Sequence, residues 1–228
     1  MTGGQVVPSR RHEMNLNEEI QQVLASYALP NSVIETFATA MGRLDENKVA
    51  PGLMVGERAP DFELPNPHGK PVRLSELLAE GPVVLSFFRG DWCPVCNLQL
   101  RALERALPGI REASASLVAV TPQSLEHTLS LQKKAELNFD VLSDVAQKVI
   151  RDYRVQCTVP SELQNLYLGF YSLDLGEQNG DGSWNLPVPG TDAEGIIRHT
   201  YVTADFTRRM EPDDVIEALR PLATAATS

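Results

Sequence analysis

The sequence is short of cysteine, with three in 228 residues, and three cannot build the framework of disulfides that staples small secreted domains. A chain of this length, 43% hydrophobic and 22% charged, buries a sizeable core without such staples. Any long basic run is also missing. Arg10-Arg11, Lys133-Lys134 and Arg208-Arg209 are the longest, against a formal net charge of -10. Polyanion binding needs a cationic footprint, so no nucleic acid and no membrane surface is expected as a partner. No stretch approaches the ~18 consecutive apolar residues of a spanning helix, and the opening residues, MTGGQVVPSRRHEMN, lack the apolar centre of a secretory signal. No internal repeat is evident. A reducing, cytoplasmic setting is expected, and there a close cysteine pair is more often catalytic or metal-binding than structural.

What is present alternates between helix and strand signals. Residues 1–13 read as disordered. Leu16, Ile20, Val23, Leu24 and Tyr27 recur at helical spacing up to Pro30, and Val33, Ile34, Phe37, Ala38, Met41 and Leu44 form a second amphipathic set capped by Asn31 or Ser32. This helical extension, residues 1–51, must bury its apolar faces in cis or in a homodimer. The main domain is expected over 52–222. It opens with strand-like Val55 to Leu64, a turn at Pro65, Pro67, Gly69 and Pro71, and a short helix capped by Ser75 that runs to Glu80. Val83 to Phe88 is a non-alternating apolar run, the mark of a strand covered on both faces. A helical pattern follows, which Pro108-Gly109 should interrupt. Leu117 to Val120 is a second buried strand, 124–137 helix, 139–142 extended and 144–154 helix. Residues 157–190 read as an irregular insertion, Ile196 to Val202 as a strand, Pro212 to Leu219 as a last helix and 223–228 as a tail. Strands alternating with helices predict an α/β fold with helices on both faces of one sheet.

Cys93 and Cys96 stand three apart where the first buried strand gives way to the helix. That spacing puts both on one face of the first turn, within reach of a disulfide. Pro94 fits a first turn whose N–H groups have no intrahelical partner. Unpaired N–H groups and the helix dipole favour an anion there, which predicts a lowered thiol pKa, with outer Cys93 as nucleophile and Cys96 as resolving thiol. A zinc site needs two more ligands, and Cys157, His12, His68, His127 and His199 offer no second pair at ligand spacing. No metal and no cofactor is expected. Asn179-Gly180-Asp181-Gly182-Ser183 lacks the full ligand series of a calcium loop and reads as a turn cluster.

The run Phe87-Phe88-Arg89-Gly90-Asp91-Trp92-Cys93-Pro94-Val95-Cys96-Asn97 resembles the cysteine segment of peroxiredoxin-like proteins of the AhpC/TSA superfamily. Val55-Gly56 through Leu64 resembles that superfamily's domain start. Val188-Pro189-Gly190-Thr191 resembles its loop facing the active site, and Asp205 to Pro212 its tail. The resemblance covers about residues 52–220. It implies a thioredoxin-like three-layer α/β/α sandwich around a central mixed sheet, with a cis Pro189 opposite Cys93, and Trp92, Pro94 and Arg89 as binding or activating neighbours. Typical members carry Pro-x-x-x-Thr/Ser-x-x-Cys; counted back from Cys93, those places hold Ser86 and Gly90. Trp92-Cys93 with the two-residue spacing instead resembles thioredoxin and glutaredoxin motifs. After Thr191 the usual apolar strand is replaced by Asp192-Ala193-Glu194-Gly195, so that strand is expected to be short or missing.

Two enzyme readings follow. In the first, Cys93 attacks a hydroperoxide, becomes a sulfenic acid and condenses with Cys96, and a thioredoxin- or glutathione-type thiol reduces the disulfide. In the second, Cys93 attacks a protein or small-molecule disulfide and Cys96 resolves the mixed intermediate. A redox-inactive binding module on the same fold is the third reading. Asp91 reads as an exposed loop carboxylate, and Cys157 as a buried structural thiol or an alternative resolving one.

Overall fold

The computed structural model describes residues 14–188, 190–193 and 195–225, with backbone only at 190–193 and 223–225. The expected disorder of residues 1–13 and the expected cis peptide at Pro189 lie outside the described residues. In chain order the elements are α1 (Leu16–Ser26), α2 (Asn31–Glu46), β1 (Glu63–Pro65), β2 (Pro71–Arg73), α3 (Leu74–Glu80), β3 (Val83–Phe87), α4 (Pro94–Glu112) and β4 (Ser116–Thr121). They continue with α5 (Leu125–Ala135), β5 (Asp140–Ser143), α6 (Lys148–Asp152), β6 (Gln156–Thr158), α7 (Ser161–Gly169), α8 (Leu175–Gln178), β7 (Asn185–Pro187), β8 (Gly190–Ala193), β9 (Thr200–Val202) and α9 (Pro212–Ala225).

The central sheet runs β5-β4-β3-β8-β9, parallel from β5 to β3 and antiparallel from β3 through β9. All five residues of β3 are buried, as its unbroken apolar run requires. Its side chains divide by parity. Val84, with Leu117 and Ala119 of β4, packs under α4, α5 and α9. Val83, Leu85 and Phe87, with Val118 and Val120, face α3, α6 and the β1–β2 hairpin. The result is the expected α/β/α sandwich. The strand after Pro189 is present as four-residue β8, paired to both neighbours.

Several expected boundaries move. Helix α2 starts at Asn31, so neither Asn31 nor Ser32 caps it; Pro30 stands there without a side-chain bond. Helix α3 starts one residue before Ser75, because the carboxylate of Asp61 takes hydrogen bonds from the backbone N–H and hydroxyl of Ser75. Pro108 does not stop α4. Gly109 lies so close to α9 that a β-carbon there would sit 2.7 Å from Ile216 Cδ1, so packing carries the helix past the bond that proline cannot make. Similarly, α9 passes Leu219 and Pro221 to reach Ala225, and the expected 144–154 helix shrinks to α6. In the Ile196–Val202 run only β9 is regular; Ile196 makes an isolated bridge to Arg58.

Within the expected 157–190 insertion, residues 157–188 contain regular elements. Strands β6 and β7 pair antiparallel and hold α7 and α8 between them. Val33, Phe37 and Ala40 of α2 pack on Leu163, Tyr167, Leu175 and Leu186 of this unit. Helix α1, with the capping box of Asn15 and Glu18, buries Leu16 and Ile20 with the α4 and α9 side chains. Both faces of the extension are thus used within one chain. Replacing Ile20, 0% exposed, by alanine is expected to lower stability by about 2–5 kcal/mol, measured as a fall in the urea midpoint independent of protein concentration.

Candidate active site

Four segments far apart in sequence meet at the N-terminus of α4. Strand β3 delivers Phe88 and Arg89 past its last ladder residue. Gly90 then turns the chain at a φ of +157°, and a β-carbon there would lie 2.4 Å from Trp92 Nε1, so only glycine lets the indole fold back. The loop is anchored from α5's side: Asp91 N donates to Gln123 Oε1 and Gln123 Nε2 to Asp91 Oδ1, both at 2.7 Å. His127 Nδ1 lies 3.4 Å from the other carboxylate oxygen. Asp91 is therefore a partly buried anchor, not the exposed loop carboxylate expected from the sequence. Cys93 caps α4, and Pro94 takes its first turn as expected.

Both cysteines of the motif are free thiols and buried, at 1% and 0% exposure. Cys93 is not the open outer thiol that the motif suggested. Its sulfur makes no capping bond to the helix; it receives Arg89 Nη2 at 2.9 Å. Behind it, Arg209 Nη2 reaches Cys96 Sγ at 3.8 Å. Burial pushes the Cys93 thiol well above its ordinary value, reinforced by the hydrogen bond it donates to Cys96. At Cys96 burial acts the same way, but the bond from Cys93, then Arg209 and Arg89, overcome it and hold the thiol well below its ordinary value. The two guanidiniums together favour a single thiolate on the pair, with one proton shared between the two sulfurs. The upward shift at Cys93 corrects the expectation of a lowered pKa there.

The guanidiniums are themselves tightly held. Arg89 lies 4.0 Å from the Phe206 ring centroid and 5.3 Å from that of Trp92, inside cation–π range, and its Nη1 donates to Tyr167 Oη at 3.3 Å. Tyr167 packs edge-on to Trp92. Arg209 Nε donates to Gln99 Oε1 at 2.8 Å, and its Nη1 donates to the carbonyls of Phe206 and Arg208. A small apolar cavity of about 50 Å³ lies beyond Arg89, with Cys157, Leu163, Tyr167 and Phe206 among its walls. Neither motif cysteine lines it. Cys157 is buried, and burial raises its thiol.

Among the expected site residues, Cys93, Cys96, Arg89, Trp92 and Pro94 come together, while Pro189 lies outside the described residues. Sequence reasoning missed Arg209, Gln99, Tyr167 and Gln123. Gln99 alone left a local signal, a polar residue one turn after Cys96 on the face that α4 otherwise buries.

Residues 55–204 match the AhpC/TSA family. The chain is 30% identical over 137 residues to a chloroplastic peroxiredoxin Q of Sedum lineare, which covers 60% of this chain and 71% of that protein. It is 28% identical over 104 residues to the thiol-disulfide oxidoreductase ResA of Bacillus cereus, 45% of this chain and 59% of that protein. The crystal structure of peroxidoxin BcpB from Mycobacterium tuberculosis superposes with a TM-score of 0.58 at 21% identity, covering 75% of this chain and 98% of that one. A family match across most of the chain, on a thioredoxin-like fold with the cysteine pair at its centre, identifies the chain as a member of the AhpC/TSA family of peroxiredoxin-like proteins.

Proposed function

We propose that this chain is a thiol-dependent peroxidase whose Cys93–Cys96 pair cycles between a singly ionised dithiol and an intramolecular disulfide. The observation that carries this reading is a buried pair of free cysteines held between two buried guanidiniums. The thiolate attacks the nearer peroxide oxygen; an S–O bond forms, the O–O bond breaks, and the departing oxide takes a proton. Fixed cations beside the developing oxide lower the barrier without reorganising. The other thiol then attacks the sulfenic sulfur, the S–S bond forms and water leaves. An external thiol of the thioredoxin or glutathione type restores the dithiol.

The sequence expectation gives the attack to Cys93 and the resolution to Cys96. The downward shift at Cys96 and the upward shift at Cys93 favour the reverse order, since the thiolate is the nucleophile. Dimedone trapping separates the two. With the reverse order, Cys93→Ser exposed to peroxide accumulates a trapped sulfenic acid on Cys96 while Cys96→Ser gives none; the opposite pattern restores the first order.

The dithiol–disulfide oxidoreductase reading rests on the short motif spacing and the likeness to ResA. Burial weighs against it, because a protein disulfide must bring its own sulfur within bonding distance of a sulfur only 1% or 0% exposed. A two-oxygen substrate needs a far smaller opening. Stopped-flow fluorescence of Trp92 with hydrogen peroxide, run beside insulin reduction, decides between them. A peroxide rate no faster than that of a free thiol, with rapid insulin reduction, would reverse the assignment.

The depressed Cys96 pKa sets a pH dependence. A lowered acid keeps its charged form as pH falls past the ordinary thiol range near 8.5, so thiolate absorbance at 240 nm and the peroxide rate constant are expected to stay flat through neutrality and fall only in acid. Arg209→Met removes a cation that holds the thiolate. The titration then moves up, and the rate constant at pH 7 drops about tenfold for each pKa unit regained once the pKa exceeds the working pH.

A further inference from the structure

The charges of this site do not balance. Arg89 and Arg209 are 7% and 2% exposed. Their side-chain hydrogen bonds end on Tyr167, Gln99, two backbone carbonyls and the two cysteine sulfurs. Among the described residues no carboxylate accepts from either. In the reduced protein two guanidiniums face one thiolate. Closing the Cys93–Cys96 disulfide removes that anion and leaves two buried cations with none.

Gln99 is the residue that keeps it so. It lies on α4 one turn after Cys96, facing the same way, and is 3% exposed. Its Oε1 accepts from Arg209 Nε at 2.8 Å, while its Nε2 reaches Ser86 Oγ at 3.5 Å. The amide oxygen fills the place in Arg209's donor fork that a carboxylate would suit best, and orients the guanidinium without neutralising it.

We infer that Gln99 is a positioning residue that sets the redox poise of the pair: by holding Arg209 through a neutral acceptor, it leaves the disulfide unstable relative to the thiolate form and so strongly oxidising. An interaction that stabilises the reduced form raises the potential of a dithiol pair, and the unbalanced guanidiniums stabilise only the thiolate. The class of reaction that regenerates this enzyme is then reduction by a weakly reducing low-molecular-weight thiol. Two such thiols give up two electrons and join as a disulfide, and the Cys93–Cys96 bond breaks. Of the two protons released, the cysteine pair keeps one and solvent takes the other, since the reduced pair stays singly ionised. The inference rests on the redox cycle proposed above.

The test equilibrates the full chain in glutathione buffers of fixed thiol-to-disulfide ratio and counts the reduced fraction by alkylation and mass. Gln99→Glu places a carboxylate on Arg209 and is expected to shift the equilibrium towards the protein disulfide at least tenfold, about 30 mV for a two-electron couple. Gln99→Met, similar in length and uncharged, is expected to stay within about threefold, because it changes packing by less than a charge does. Equal shifts in the two variants, or none in Gln99→Glu, overturn the role of Gln99 while leaving the redox cycle standing. A disulfide absent at every ratio overturns the cycle and this inference together. Should Gln99→Met fail to fold, thiolate absorbance at 240 nm decides: it must appear at higher pH in Gln99→Glu than in the wild type, and an unchanged titration overturns the inference.

Discussion

A thiolate buried between two guanidiniums is the interaction on which the rest of this structure depends. Unpaired, any one of the three charges would cost several kcal/mol to remove from water. Each must therefore be delivered by an element rigid enough to keep the pairing. Cys93 and Cys96 ride on the first turn of α4, Arg89 on the end of β3, and Arg209 on the segment leading into α9. Only the first two are neighbours in the chain. The third meets them because α4 and α9 pack closely enough that Gly109 has no room for a side chain.

The N-terminal extension belongs to this arrangement. Asn17 on α1 accepts from Arg209 N at 3.0 Å and donates to Arg209 O at 2.8 Å. Glu211, two residues further on, takes the free N–H groups of Leu16 and Asn17 at 2.9 Å. The first turn of α1 thus clamps the backbone that carries Arg209. Helix α2 acts on the other guanidinium: Phe37 packs edge-on against Phe206 and Tyr167, the ring and the hydroxyl that hold Arg89. The helical extension, expected from the sequence to bury its apolar faces in cis or in a homodimer, is a brace on both cations.

The parts of this site legible in the sequence are those written in adjacent residues. The unbroken apolar run at Val83–Phe88, the cysteine spacing and Pro94 each reflect a local constraint, so strand, turn and helix start could be read directly. Local signals failed wherever a distant partner decided the outcome. Pro108 should have ended a helix that α9 holds together. Ser75 resembled a cap until Asp61, fourteen residues earlier, took that role. Residues 157–190 showed no periodicity because short β6 and β7 order α7 and α8 through packing on α2. Arg209 lies 113 residues from Cys96, and no spacing rule joins them.

The family's cysteine pattern can be counted back from either cysteine of the pair. The family pattern Pro-x-x-x-Thr/Ser-x-x-Cys fails when read back from Cys93. Read back from Cys96, its hydroxyl position is Cys93 and its proline position is Arg89. A thiol in place of the hydroxyl can still donate to the sulfur three residues on, as Cys93 does to Cys96. Unlike a hydroxyl, it can also form a disulfide with that sulfur. The arginine in place of proline adds a cation beside the substituted thiol, at 2.9 Å. The two departures therefore act together. The two sulfurs lie on one turn of one helix, so whichever attacks the peroxide, the other is positioned to resolve its oxidised product.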